Sequence, residues 1–142
     1  MIVLDTSVLV YAVGQAHALR EPSRRVIQAV ADGALRATTT VEAIQEFAHV
    51  RSQRRSRADA ATLARQYADL LGPLVSTIAA DVDKALQLFQ RHHELGAFDA
   101  LLAAAALRVE ADALISGDAA FGKISALRFV GLGSPQLEKL FD

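Results

Sequence analysis

Apolar residues follow two patterns along the chain, short continuous runs and helical spacings of three and four, which together predict a mixed α/β protein. The short runs predict strands at residues 2–4, 35–38, 74–78, 113–116 and 128–130. The helical spacings predict helices from Thr6 or Ser7 to Val13, over 23–31, from Thr39 or Thr40 to Val50, over 57–71, from Asp81 or Asp83 to Leu95, and over 97–109. Because parallel strands need crossover connections, strands separated by helices predict a three-layer α/β/α sandwich with a central parallel sheet.

Composition narrows the class of protein without indicating a function. The 142 residues suit one domain, predicted to span 1–142, and 52% hydrophobic against 22% charged residues predicts a folded chain. The absence of cysteine excludes disulfides, thiolate metal sites and a cysteine nucleophile. Neither a signal peptide nor a run long enough to span a membrane is recognisable, so we expect a cytoplasmic protein.

Two aspartates stand just beyond predicted strands. Asp5 follows the run Ile2–Leu4, and Asp118 follows residues 113–116 after a single glycine. In open parallel sheets, ligands bind beyond the carboxyl ends of the strands, so both side chains are expected at one edge. Carboxylates that close repel one another, and no lysine or arginine is adjacent in sequence to either of them. A divalent cation between them is therefore the simplest prediction.

Each candidate acid also has a structural explanation when it is taken alone. An aspartate after a strand is commonly a helix cap or a turn former, which covers Asp5 and Asp118. Asp99 lies in the first turn of a predicted helix, where the helix dipole favours a negative charge by about 0.3–1 kcal/mol. Glu46 lies inside a predicted helix and can face solvent. The four gain weight together, because they occur in the order strand end, helix, helix start and strand end.

The segments around these acids resemble the PIN domain. They read Ile-Val-Leu-Asp-Thr-Ser-Val-Leu-Val-Tyr at 2–11, Thr-Val-Glu-Ala-Ile-Gln-Glu-Phe at 40–47, Phe-Asp-Ala-Leu-Leu-Ala-Ala-Ala at 98–105 and Leu-Ile-Ser-Gly-Asp-Ala-Ala-Phe at 114–121. Within that family the chain is most similar to VapC-type toxins of bacterial toxin–antitoxin pairs, which are small single-domain ribonucleases. The resemblance extends over essentially the whole chain.

The resemblance implies a site made of acids and hydroxyls. Its four acidic positions, which are the implied catalytic residues and metal ligands, are Asp5, Glu46, Asp99 and Asp118. Its hydroxyl positions near the metal are Thr6 or Ser7, and Ser116, where many relatives carry Thr-x-Asp instead of Ser-Gly-Asp. Glu42 competes with Glu46, although an acid followed by a large apolar residue, as at Glu46, matches the family better.

A ligand set of oxygen atoms alone suits Mg²⁺ or Mn²⁺ rather than zinc. We expect Asp5 and Asp99 to hold the main ion, and Glu46 and Asp118 to shape its water shell or to hold a second ion. The implied function is that of a magnesium-dependent endoribonuclease, the toxin of a VapBC-type pair, which hydrolyses RNA phosphodiester bonds through metal-activated water.

Partners are indicated partly by charge and partly by the resemblance. A net charge of -1 gives no global attraction to RNA, so contact has to be local. A candidate phosphate-contacting patch, or equally a solvated helix end, consists of Arg51, Arg54, Arg55 and Arg57. The resemblance implies a cognate antitoxin that covers the acidic groove with a basic side chain among the carboxylates. It also implies a homodimer, through apolar faces that can instead be core: one around Phe89, the other formed by Val8, Leu9, Tyr11 and Ala12.

Two other functions stay open at this level. A magnesium-dependent phosphatase that attacks with Asp5 usually needs a second aspartate two residues later, where this chain has Ser7. A PIN-like module that binds a metal or a partner without catalysis needs only the acids. The histidines show no spacing typical of zinc helices and are predicted to be ordinary surface or partly buried residues: His17, His49, His92 and His93.

Overall fold

The strands form one parallel sheet, which confirms the predicted fold class. The structure, a computed structural model, describes residues 1–142. Its strands are β1 (Ile2–Leu4), β2 (Ala37–Thr38), β3 (Ala113–Ser116) and β4 (Phe129–Gly131), in the order β2-β1-β3-β4. The helices are α1 (Thr6–Ala12), α2 (Arg20–Ala31), α3 (Val41–Ser52), α4 (Arg57–Leu71), α5 (Ala79–Arg91), α6 (Ala97–Arg108), a 3₁₀ helix (Ala119–Lys123) and α7 (Pro135–Glu138).

An apolar layer covers each face of the sheet, because successive strand residues point to opposite sides. Ile2 and Leu4 pack into a cluster with residues of α1, α2, α3, α4 and α7. Val3 and Leu114 pack into a second cluster with α5, α6 and the 3₁₀ helix. The run of buried alanines in α6, which includes the fully buried Ala103, lets that helix lie close to α5. No helix combines the length and the apolar character that crossing a membrane requires.

The order of the strands reverses at β1, because the chain continues from β1 to β2 on one side and later places β3 on the other. The register sets Leu4 beside Ile115, and the Asp5 N–H donates to the Ile115 carbonyl at 2.9 Å. Asp5 and Ser116 therefore stand side by side at the carboxyl ends of adjacent strands. This switch point is where open α/β sheets bind ligands.

The predicted strand at 74–78 is wrong. Only one parallel bridge, between Val75 and Thr40, forms there. Thr40 already begins α3, since its Oγ1 accepts a hydrogen bond from the Ala43 N–H at 3.1 Å, so no extended partner continues alongside residues 76–78.

Two predicted helix starts also differ from the structure. The helix predicted from residue 23 begins at Arg20, because Pro22 lies in the first turn, where a missing N–H is tolerated. The helix predicted to open at Asp81 or Asp83 begins at Ala79. Asp81 is its third residue and accepts a hydrogen bond from the Ile78 N–H at 3.0 Å.

Asp81 is a buried carboxylate that joins α5 to α6. Its side chain is 2% exposed and accepts a hydrogen bond from Arg108 Nε at 2.8 Å. Burial is the largest single influence on the pKa of Asp81 and acts to raise it. The hydrogen bonds from Arg108 and Ile78 and the positive charge of Arg108 together outweigh burial, so the net pKa lies below its usual value. Ionised Asp81 therefore stabilises the fold above its unfolded pKa of about 3.9, and the contribution is lost as pH falls through the lower folded pKa.

We predict that Asp81→Asn lowers the free energy of unfolding by about 2 kcal/mol at pH 7, because Arg108 loses a charged, buried partner. The difference from the wild-type protein shrinks in acid, once the pH falls below about 4. Urea denaturation of both proteins at pH 7 and at a pH below about 4 measures the effect. Asp83→Asn, on the exposed side of the same helix, is the matched control and stays within about 0.5 kcal/mol of wild type. An Asp81→Asn effect independent of pH contradicts the account.

Candidate active site

Asp5 is held at the junction of β1 and α1. The residue is 5% exposed, and its Oδ2 accepts hydrogen bonds from the hydroxyls of Ser7 and Ser116, each at 2.7 Å. Oδ2 also caps α1 through a longer bond from the Ser7 N–H at 3.4 Å. Two of the three predicted hydroxyl residues thus fix one oxygen of Asp5. Its Oδ1 accepts no hydrogen bond from the chain and remains available to a ligand.

The loop after β3 brings Asp118 to the same edge. The Gly117 N–H donates to Ser7 Oγ at 3.0 Å, and the Asp118 N–H donates to Ser116 Oγ at 2.9 Å. Each of the two serine hydroxyls therefore donates to Asp5 and accepts from this loop. Asp118 Oδ1 accepts from the Ala120 N–H at 2.9 Å and caps the 3₁₀ helix, which leaves Oδ2 free of hydrogen bonds from the chain.

Helix α3 carries two glutamates with different surroundings. Glu46 Oε2 accepts a hydrogen bond from Thr6 Oγ1 at 3.0 Å, so the third predicted hydroxyl contacts Glu46 rather than Asp5. Glu42 instead accepts a short hydrogen bond from Thr77 Oγ1, in the segment before α5. These contacts favour Glu46 over Glu42 as the glutamate that accompanies Asp5.

Asp99, in the first turn of α6, completes the group of acids. Burial raises the pKa of Asp99 to about 7, and the negative charges of Asp5, Glu46 and Asp118 raise it as well. Asp5, Glu46 and Asp99 also line one cavity, and Asp118 follows β3, the strand paired with β1. The structure therefore brings the four predicted acidic positions together.

The acids supply oxygen donors of the kind that Mg²⁺ binds. No group of three or more acidic or histidine side chains is already placed to hold an ion by direct contact alone. Charges act over longer distances than a coordination bond spans. The acids can therefore raise the pKa of Asp99 while lying too far apart to contact one ion directly. Mg²⁺ usually takes one or two carboxylates and fills its other positions with waters and substrate phosphates. Asp5 keeps one carboxylate oxygen free of hydrogen bonds from the chain, and Asp99, which lines the same cavity, adds a second carboxylate.

A cavity of about 710 Å³ opens beside the acids. Asp5, Glu46 and Asp99 line it together with apolar side chains, whereas Asp118 borders the site outside it. Phe98, one of the apolar lining residues, is 78% exposed. Exposed apolar surface around a polar site is typical of a binding surface. Phe98 was not among the predicted site residues, although an aromatic residue directly before Asp99 was a signal in the sequence.

Arg51 corrects the prediction of RNA contacts. Its Nε donates to Asp59 Oδ1 at 2.6 Å and a terminal nitrogen donates to the Val13 carbonyl at 3.1 Å, while only 14% of its side chain is exposed. Arg51 thus joins α3 to α1 and α4 and is withdrawn from the predicted patch. The other three arginines of the predicted patch are exposed and form no ion pair: Arg54, Arg55 and Arg57.

The model of the PIN domain family matches residues 2–127. The chain therefore belongs to the PIN-domain family, as its motifs predicted. Its similarity to VapC proteins is also confirmed: Ribonuclease VapC7 of Mycobacterium tuberculosis (strain ATCC 25618 / H37Rv) is 49% identical over 126 residues, which are 88% of this chain and 87% of that protein. Ribonuclease VapC23 of Mycobacterium tuberculosis (strain CDC 1551 / Oshkosh) is 40% identical over 104 residues, 71% of this chain and 79% of that protein.

Solved structures share the fold at low sequence identity. The crystal structure of VapBC2 from Rickettsia felis, bound to a DNA fragment from their promoter, matches with a TM-score of 0.71 at 17% identity, over 92% of this chain and 98% of that one. The crystal structure of FitAcB from Neisseria gonorrhoeae matches with a TM-score of 0.68 at 14% identity, over 93% and 98%. At these identities the similarity establishes the fold alone.

Proposed function

We propose that this protein is a magnesium-dependent endoribonuclease and the toxin of a VapBC-type toxin–antitoxin pair. The observation that carries the proposal is a group of four acids, none in an ion pair with lysine or arginine, at the switch point of the sheet. The 49% identity with Ribonuclease VapC7 favours RNA as the substrate. We expect the protein to act in the cytoplasm.

We propose different roles for the four acids. Asp5 and Asp99 would hold the main ion, while Glu46 and Asp118 would shape its water shell or hold a second ion. When bound, Mg²⁺ lowers the pKa of water and offsets negative charge that develops on the phosphate. Ser7 keeps the Asp5 carboxylate in a fixed orientation through its 2.7 Å hydrogen bond. Because Ser7 stands two residues after Asp5, the chain lacks the second aspartate that a phosphatase mechanism usually needs at that position.

Metal-dependent cleavage of RNA tests the proposal. We expect purified protein to cut single-stranded or structured RNA in Mg²⁺ or Mn²⁺ and to leave it intact in chelator. Asp5→Asn and Asp99→Asn should each lower the rate more than about a hundredfold, because even the outer-shell partners of metal ligands contribute about tenfold to a hundredfold. Glu42→Gln, on the same cavity but bonded to Thr77, is the matched control and should cleave like wild type.

Three outcomes of this assay are informative. Cleavage that persists in chelator, or that survives both aspartate substitutions, rules out the proposed site. RNA that stays intact in the presence of metal, with the ion nevertheless bound, favours a PIN-like module without catalysis.

We propose that Arg54, Arg55 and Arg57 contact RNA phosphates. Arg54 and Arg55 lie in the turn between α3 and α4, and Arg57 is the first residue of α4. Their exposure without ion pairs leaves the guanidinium groups available. Because the chain has a net charge of -1, this local patch would supply much of the attraction to RNA.

Replacing both Arg54 and Arg55 by alanine should weaken RNA binding for all sequences alike. The slope of log K against log salt should become shallower by about 1.4, since each phosphate contact to a single strand contributes about 0.7. Titrations at several salt concentrations give the slope. Arg128→Ala, an exposed arginine just before β4, is the control. An unchanged slope in the double variant assigns the patch to solvation.

We also propose two protein partners. A cognate antitoxin would cover the cavity, with its apolar residues against Phe98 and a basic side chain among the carboxylates. The fold shared with the VapBC2 structure supports such a partner.

The second partner is another copy of the chain, which would pack against α5. One side of that helix and its cap carries apolar residues that are 46% to 58% exposed: Ile78, Val82, Leu86 and Phe89. The other predicted face is core, because Val8, Leu9 and Ala12 are buried.

If two copies pack through the exposed apolar side of α5, a charge placed in the middle of that side should separate them. Leu86→Glu should convert a dimer into a monomer, because the new carboxylate would be buried against its symmetry mate. Light scattering after size-exclusion chromatography measures the mass. Lys84→Glu, an exposed position on another side of the same helix, should leave the dimer intact. A wild-type monomer, or a Leu86→Glu dimer, contradicts this part of the proposal.

A further inference from the structure

An aromatic residue of α1 borders the loop that carries Asp118. Tyr11 lies four residues after Ser7 and therefore on the same side of the helix. Ser7 Oγ accepts from the Gly117 N–H, and a Cβ added to Gly117 would lie 3.1 Å from Tyr11 Cε2. The absence of a side chain at Gly117 thus lets the tyrosine ring pack directly against the residue before Asp118.

The Tyr11 ring is extended outward by a histidine. The His17 imidazole stacks on it, with ring centroids 4.5 Å apart and an interplanar angle of 23°. His17 Nδ1 accepts a hydrogen bond from the Leu19 N–H at 3.0 Å, which fixes the orientation of the ring. Leu19 in turn packs against Gly117, since the added Cβ would lie 3.1 Å from its Cδ1. The loop therefore holds an exposed imidazole in a defined position beside the Tyr11 ring, which packs against the residue before Asp118.

Packing alone explains this pair poorly. Tyr11 is half-buried at the edge of the core, but His17 is exposed and adds little apolar burial. The stacked ring keeps solvent access although it is held on one side by Tyr11 and by its own loop. A flat π-face, fixed in place and open to solvent, is what a nucleic-acid base needs for stacking.

We infer that the Tyr11–His17 pair is a stacking site for an unpaired base of the RNA, on the Asp118 side of the carboxylates. The inference rests on the proposed ribonuclease function and names its substrate class as single-stranded RNA. A base within a duplex has both of its faces occupied by neighbouring bases, so only an unpaired base can stack on His17. Stacking of this kind tolerates any base, because every base has a π-face.

Binding of RNA that carries a fluorescent base tests the inference. The probe is a set of short single-stranded RNAs with 2-aminopurine at each position in turn, titrated in chelator so that cleavage does not consume it. We expect one position to change its fluorescence on binding. His17→Ala should remove that change and weaken binding about tenfold, within the range for base–aromatic stacking. His17→Phe should preserve both, and Gln15→Ala, in the same loop, should match wild type.

An abasic nucleotide at the responding position separates stacking from a structural role. If His17 acts by stacking, wild type and His17→Ala should bind the abasic RNA equally. If the substitution instead disturbs the site in general, His17→Ala should bind both the abasic and the intact RNA more weakly than wild type. Tyr11→Phe, which keeps the ring, and thermal unfolding of each variant identify losses caused by misfolding.

Several results would overturn the inference. These are the absence of binding to single-stranded RNA, tighter binding to the matching duplex, or a His17→Ala variant that is indistinguishable from wild type at every probe position. Because the readout is binding without cleavage, these results are distinct from failure of the nuclease proposal, which appears as intact RNA in Mg²⁺.

Discussion

Mutual repulsion among carboxylates at the carboxyl ends of two parallel strands is the constraint on which the site depends. The reversal of strand order at β1 places Asp5 next to the end of β3, and α3 and α6 add Glu46 and Asp99. Like charges in a partly buried place destabilise one another unless protons or cations accompany them. Burial, which is the largest influence, and the charges of Asp5, Glu46 and Asp118 together raise the pKa of Asp99. A fold that retains such an arrangement without any arginine or lysine among the acids is suited to a divalent cation.

The short helix α1 carries much of this arrangement and is fixed at both ends. Its first turn supplies the hydroxyls that orient Asp5 and Glu46. At its other end, carbonyls accept hydrogen bonds from neighbouring elements: Arg24 donates to Ala12 at 2.9 Å, Arg51 to Val13 at 3.1 Å and Tyr67 to Leu9 at 2.9 Å. Helices α2, α3 and α4 thus hold α1 in the position from which it faces β3.

The sequence predicted those features whose cause is local. A β-branched run that ends in an acid indicates a strand end, so β1, β3 and the positions of Asp5 and Asp118 could be predicted. The segment 74–78 has the same composition but lacks a partner, because Thr40 turns the neighbouring chain into α3. Arg51 was predicted as a surface residue because its partners lie far along the chain or depend on helix packing, as Asp59 does. Contacts between distant segments leave no pattern in a single sequence.

Anomalous diffraction from crystals of the protein soaked in Mn²⁺ would show whether the four acids share a divalent cation. The account predicts an anomalous peak in contact with Asp5 and Asp99, with waters between the ion and the more distant acids. The peak should be absent from crystals of Asp99→Asn treated in the same way. A basic side chain found among the carboxylates, or Mn²⁺ bound only elsewhere on the molecule, would contradict the account.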